Sequence, residues 1–442
     1  MKKGVLIRIA VLLICSMALT PLLISCVAAP AAEQPAAPES PAAPAPAPES
    51  SAPAERAVSF ALWDENQYPV YEEICKKFTA ETGISVDLQL TPWDQYWTKL
   101  DAAATAGNAA DVFWMNVYMS KYYDAGVIEP IESYFTADGL NKDDYIKAMA
   151  DLYSIDGKLV CMPKGLDVVV VAYNKAIFDK YGVAYPQEGW TWADMEKTGA
   201  ALRDAIKAAG GEEYPLVMEL DSQPSYLQFW IQDGVVPYGP DFTKTNFSDP
   251  AATKAFDDVM SLMDQGIMPS FTVLSDTKGT DLFISSRAAM VYVGSWKSVV
   301  LDGCSIASDI GLVTMPTRSV SNVCTLGGIS FAINSSAADK DAAWQLVKYL
   351  GGEESNKMQA EGRIDIPALK SAQQYYAPAF QNIDPTAFVT QSGISTVYPF
   401  HARMFDWNNL QNDIVAQIWS KAVTPADGLK ELAAEADAII GG

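Results

Sequence analysis

Two periods of apolar spacing run along this chain, and the switches between them mark out its elements. Val58–Trp63 (VSFALW) reads as a strand, and Tyr71–Ala80 follows with Ile74 and Phe78 at helical spacing. Ile84–Leu90 (ISVDLQL) alternates with period two, as a half-buried strand does. Trp93–Thr105 reads as a helix running into Gly107, and DVFWM (111–115) is another strand. Strands separated by helices of about 10–15 residues predict a parallel α/β sheet. Asp156-Gly157 marks a hairpin, and VVVVAYN (168–174) is a continuous buried strand. Helices are predicted over 191–210, with Thr191 as N-cap, and over 249–266, between Asp249-Pro250 and Gly266. AAMVYV (288–293) is a strand that ends in Gly294, Ser295 and Trp296. Strands DIGLVTMP (309–316) and GGISFAIN (327–334) follow, and the C-terminal third is helical. No short repeat period is present, which excludes a solenoid.

The first 57 residues follow neither period. Residues 1–25 carry Lys2, Lys3 and Arg8 ahead of a long apolar run, the pattern of a secretory signal peptide. Pro21 and the small-residue corner oppose the alternative, an uncleaved membrane anchor. Leu23-Ile24-Ser25-Cys26 resembles the bacterial lipobox, which implies cleavage before Cys26 and a lipid on its sulfur; bulky Ile14 makes Cys15 the weaker site. Residues 26–57 then form an Ala/Pro-rich tether whose composition cannot bury a core. At ~3 Å per residue in polyproline II it would hold a domain some tens of Å from the membrane. The roughly 385 residues beyond it exceed what one core usually serves, so two lobes are expected.

The formal charge is −23; Lys2, Lys3 and Arg8 leave with the signal and no acidic residue does, so the mature chain carries −26. A field of that sign disfavours nucleic acid and anionic lipid as partners. Beyond Cys26 the cysteines are Cys75, Cys161, Cys304 and Cys324, with no C-x-x-C pair and a single histidine, His401. A structural zinc site is not expected, nor any other metal or cofactor. Cys75 and Cys161 sit in apolar settings and read as buried thiols. Cys304 and Cys324 flank two short strands; a bridge would close a loop of ~20 residues and contribute ~3 kcal/mol, but sequence supplies no geometry for it.

Several segments, in order, resemble the extracellular solute-binding proteins of ABC importers, in the sugar-binding group that includes maltodextrin-binding protein. They are FTAETGISV, DVFWMN, DGKLVCMPKGLDVVVVAYNKAIFDKYGV, WTWADM, RAAMVYVGSW, GGISFAINSSAADKDAAWQLVKYL and the terminal DGLKELAAEADAII. The resemblance covers roughly residues 58–440. It implies a two-lobed α/β fold of the periplasmic-binding-protein kind, with a hinge and an inter-lobe ligand cleft. Crossings are implied near 166–168, 327–329 and 366–372, giving lobe 1 as 58–167 and 329–370 and lobe 2 as 168–328 and 371–442. It further implies a monomer that takes a carbohydrate and delivers it to permease subunits, held outside the cytoplasm at the cell membrane by its lipid alone.

A pyranose offers apolar C–H faces and a rim of hydroxyls, so its site needs flat aromatic platforms and polar partners. Trp63, followed by Asp64 and Glu65, ends the first strand; Trp114, with Asn116 two residues on, ends another. Asp167 lies at the first crossing and Trp296 ends the AAMVYVGS strand. Such strand ends are where the crevice of an α/β lobe opens, and the resemblance places Trp63, Trp114, Asp167 and Trp296 in the cleft. Alone, Trp296 reads equally as a cap on the core; the resemblance makes it a floor for a sugar ring. Tyr226 and Trp230 are candidates from lobe 2, with core packing the rival for Trp230. Arg363 and Asp365 are candidates for hydroxyls or for pairing on the surface, and Trp407 precedes a long helix where the family often carries an aromatic. Trp190 and Trp192 read as structural, and a lone histidine such as His401 more often satisfies a local hydrogen bond.

Two other classes remain. A lipid-anchored glycoside hydrolase would need two cleft carboxylates, which Asp64, Glu65 and Asp167 supply; no nucleophile elbow, metal spacing or phosphate loop accompanies them. A binding protein or sensor for a non-sugar solute is hardly separable from a sugar importer by sequence.

Overall fold

Residues 56–238, 243–398 and 403–441 are described by the structure, a computed structural model, without the side chains of Phe405 and Trp407. The signal peptide, Cys26, His401 and the tether up to residue 55 lie outside the described residues; Ala57, expected in the tether, opens the first strand. No helix among the described residues is long and apolar enough to cross a membrane.

The larger sheet is built around Thr325–Asn334, every residue of which is buried. Val112–Met115 pairs antiparallel on one side of it and Met162–Asp167 on the other. Ala57–Leu62 is parallel to both Val112–Met115 and Ser85–Leu90, and the latter forms the sheet edge. This is the parallel arrangement the strand–helix alternation predicts. At the opposite edge Ile366–Pro367 closes on Met162–Asp167.

The smaller sheet departs from that pattern. Val169–Asn174 lies at its centre, antiparallel to Met290–Gly294 and to Ile310–Val313. The chain enters it directly from a strand of the first sheet, and a run of helices from Lys175–Tyr181 to Gly279–Ile284 separates its central strand from Met290–Gly294. Tyr214 and Val217 add parallel bridges to Ala288 and Val291, an extended segment with no clear periodicity in sequence.

Local signals were followed closely. Asp156 (φ 50°) and Gly157 (φ 74°) form the left-handed turn between Ser154–Ile155 and Lys158–Leu159, as a two-residue hairpin requires. Thr191 caps helix Trp192–Ala208 in a reciprocal box with Asp194. Asp249 caps Pro250–Asp264 by accepting from Ala251 N–H at 2.8 Å, and Gly266 (φ 71°) follows its end. Trp190 is buried and its indole N–H donates to the Thr314 carbonyl at 2.8 Å.

Among the described residues the cysteines carry no bridge. Cys324 Sγ lies 2.9 Å from Ser395 Oγ and accepts the Val169 N–H at 3.4 Å, while Cys304 points at the Leu301 carbonyl. Cys75 and Cys161 are buried thiols, pushed up to about 12 by desolvation.

Candidate functional site

Where the chain first passes from the larger sheet to the smaller, a single residue, Val168, separates them: Asp167 pairs with Gly327 in the first and Val169 with Gly294 in the second. Ser295 clasps that residue from both sides. Its N–H donates to the Val168 carbonyl at 2.8 Å, and its Oγ accepts the Val168 N–H at 3.2 Å. Trp296 is therefore held beside the crossing by backbone geometry. Its ring folds back over Gly294, where an added Cβ would stand 2.2 Å from Cη2 and Cζ3. Only glycine leaves room for the indole there. The side chain remains partly exposed.

Asp167 is also partly exposed, yet burial by surrounding protein pushes its carboxyl up to about 8. The negative charges of Asp365 and Asp64 add to the shift and Lys164 opposes it. A group that meets solvent but is strongly desolvated sits in a crevice. Below it lies a buried ion pair, Lys164–Asp365. Lys164 Nζ also donates to Gln67 Oε1 at 3.1 Å and stands 4.9 Å from the Trp114 ring centroid. Removing either charge of such a pair costs about 3–5 kcal/mol, because the other is left unpaired in the core.

The Asp64 side chain, partly exposed after the strand Ala57–Leu62, accepts the Asn66 N–H at 2.8 Å. Trp63, also partly exposed, is surrounded by Trp93, Tyr96, Trp97 and Trp114, with ring centroids 4.9–5.7 Å away. This cluster continues through Trp97 to Tyr118 at 4.8 Å. Asn408 Nδ2, from helix Met404–Trp419, donates to Tyr118 Oη at 2.8 Å. That helix packs on Pro425–Gly441 and, through Trp419, on Phe256, on the side of the smaller sheet. The contact therefore joins the two halves of the fold. Polar groups gather around it. Ser222 Oγ lies 3.2 Å from Tyr398 Oη, the Gln223 amide lies 3.0 Å from where a Cβ on Gly327 would stand, and Asp221 is exposed yet raised by burial. Buried polar atoms without a protein partner include Trp97 Nε1, Gln223 Nε2, Asn408 Oδ1 and Gln411 Oε1. Several unpaired donors and acceptors in one place are costly unless water or a ligand fills them.

The structure thus brings Trp63, Asp64, Asp167 and Trp296 to partly exposed positions at strand ends, with Glu65 exposed beside them. Asn116 is partly exposed and accepts the Tyr118 N–H at 3.0 Å, fixing the turn after its strand. Other expectations need correction. Trp114 has no exposed surface; all four residues of Val112–Met115 are buried because the strand is central, and the indole supports Trp63. Tyr226 and Trp230 are fully buried, packed on Phe256 at 5.3 and 5.8 Å in the helix core. Asp365 is buried against Lys164, not on the surface. Arg363 (φ 59°) pairs with Asp302, whose buried carboxylate also accepts the Asn382 N–H at 2.8 Å and the Ile383 N–H at 3.0 Å. The Trp407 side chain lies outside the description. Sequence reading missed Trp93, Trp97, Tyr118, Asp221, Gln223, Tyr398 and Asn408. For Trp93 the strand-end rule would have sufficed; the others come from loops and helices that carry no spacing signal.

Two surface hollows of about 440 and 420 Å³ lie beside Pro250–Asp264 and Pro425–Gly441. Neither includes an aromatic side chain or a residue of the crossing. They offer no platform comparable to Trp63 or Trp296.

A model of the bacterial extracellular solute-binding proteins matches residues 73–388. The chain belongs to that family. A putative binding protein of Brucella abortus is 25% identical over 401 residues, covering 88% of this chain and 95% of that one. A galactooligosaccharide-binding protein of Bacillus subtilis is 21% identical, covering 73% and 75%. An ABC substrate-binding protein of Listeria monocytogenes, solved in complex with cycloalternan, superposes with a TM-score of 0.81 at 22% identity over 88% of this chain and 99% of that one. That likeness establishes the fold: two α/β lobes of the solute-binding kind.

Proposed function

We propose that this solute-binding protein captures a carbohydrate at the crossing between its sheets and delivers it to an ABC permease. The observation that carries the reading is the pairing of Trp63 and Trp296, each partly exposed and rigidly backed, with the carboxyls of Asp64 and Asp167. Flat apolar faces flanked by hydrogen-bonding groups match the two-sided chemistry of a pyranose. With its proton held to unusually high pH, Asp167 can donate to a sugar oxygen as well as accept from a hydroxyl. The named specificity of the Bacillus subtilis relative supports the same ligand class.

In this reading lobe 1 is 58–167 with 329–370 and lobe 2 is 168–328 with 371–442, closing as a monomer about the crossings. Cleavage before Cys26 and its acylation would anchor the chain outside the cytoplasm, and no catalysis accompanies binding. Thermal shift and tryptophan fluorescence across a panel of mono-, di- and oligosaccharides, polyols and amino acids test the ligand class. Saturable binding confined to carbohydrates is expected; binding confined to amino acids, or release of shortened sugars, would replace this reading.

A further inference from the structure

Trp93 is the aromatic of the cluster that the core does not need. Its residue keeps 39% of its surface exposed, the largest exposure of any tryptophan described. An indole that exposed gains little from folding, since the hydrophobic term follows area removed from water. Yet its position is closely set. Ser85–Leu90 runs parallel to Ala57–Leu62 with Leu90 opposite Leu62, and the Thr91 N–H donates to the Leu62 carbonyl at 3.0 Å. Trp93 therefore starts helix Trp93–Ala106 at the same end of the sheet as Trp63, one strand nearer the edge. Trp63 and Trp97 hold it edge to face, at 5.4 Å with planes 68° apart and at 5.6 Å with planes 88° apart. Among the described residues no ring is stacked flat on it. The exposed side chains of Glu65, Asp94 and Gln95 stand near it in sequence or across the strand pair, and all three can accept hydrogen bonds from hydroxyls.

We infer that Trp93 is an outer stacking platform that lets the cleft take an oligosaccharide, adding a ring beyond the one held at Trp63. The inference rests on the carbohydrate reading and narrows it. A rigid indole with an open face costs little entropy to use, and it can engage only a ligand long enough to pass Trp63. Affinity should then rise with chain length, and the rise should depend on Trp93.

The test is isothermal titration of wild type, Trp93→Ala and Trp93→Tyr with two graded series, glucose to maltotetraose and galactose to a galactotetraose. In the series that binds, Trp93→Ala should weaken the longer members about tenfold or more while changing the shortest binder less than about twofold. Trp93→Tyr should recover part of the loss. Thermal melting of each variant without ligand controls for folding, and a change of only a few degrees is expected at so exposed a site. Equal losses at every length, or none at any, would overturn the role of Trp93 while leaving the carbohydrate reading intact. If folded wild-type protein bound neither series nor any other carbohydrate of the wider panel, both would be overturned.

Discussion

If Gly294 exists to admit the Trp296 indole, adding one methyl at Gly294 should mimic part of the loss of the indole itself. Gly294→Ala places a Cβ 2.2 Å from the ring tip. Ordinary carbon contacts need about 3.5 Å or more, so the ring must retreat by about 1.3 Å or more. The backbone does not resist, since φ −85° and ψ 153° suit alanine. Trp296→Ala removes a central aromatic contact and should cost about 2–4 kcal/mol of binding, roughly 30- to 1000-fold. Because Trp296 is only partly buried, its loss should destabilise folding by less than the ~3–5 kcal/mol of a fully buried tryptophan. Gly294→Ala should lose about 1–3 kcal/mol of binding, and the double variant should bind no more weakly than Trp296→Ala alone. That non-additivity is the signature of two residues acting through one ring position. Titration calorimetry of all four proteins, with urea unfolding of each, supplies the cycle. Additive losses in affinity, or a Gly294→Ala protein that binds normally, would refute the coupling. Normal affinity in a Trp296→Ala protein that unfolds early would return the indole to the core.

Other consequences can be checked separately. Asp167 binds its proton more tightly folded than unfolded, so its contribution is fully present below about pH 4 and lost as pH rises towards 8. Asp167→Asn should therefore melt higher than wild type by a margin that grows from pH 5 to pH 8 and then levels; a margin independent of pH would show that the carboxyl is not perturbed. Asp302→Ala strands Arg363 and the N–H groups of Asn382 and Ile383, and should cost about 3–5 kcal/mol in urea unfolding; a loss under 1 kcal/mol would deny that buried anchor. Cys26→Ser should abolish lipid attachment, read from the intact mass of membrane-extracted protein; a wild-type N-terminus elsewhere would end the lipoprotein assignment. Small-angle scattering should give a smaller radius of gyration at ligand saturation, and an unchanged curve would oppose closure.

What sequence made legible follows a physical division. The parallel strand–helix alternation, the Asp-Gly hairpin and the Thr191 and Asp249 caps are local, and periodicity or turn chemistry specifies each within a few residues. Trp63, Asp64, Asp167 and Trp296 could be selected because a strand end at the crevice is itself a local property. Trp114 stands near a strand end too, but its strand is central, and which strand is central depends on where Thr325–Asn334 inserts. Tyr226 and Trp230 looked equally available until Phe256 arrived from another helix. Lys164 was invisible as a partner for Asp365 because the pair is 201 positions apart in sequence. A separation of 290 positions likewise hides Asn408 opposite Tyr118. Long-range pairing of polar groups leaves no period to read.

Where a carbohydrate sits in this protein is decided by one structure. A crystal structure of the protein without its signal and tether, grown with the sugar that the binding panel selects, would show it. Density for a sugar ring should lie at the crossing against the faces of Trp63 and Trp296, with Asp64 and Asp167 within hydrogen-bond distance of its oxygens. A ligand bound instead in the hollow between Pro250–Asp264 and Pro425–Gly441, or one that leaves both indoles untouched, would contradict it.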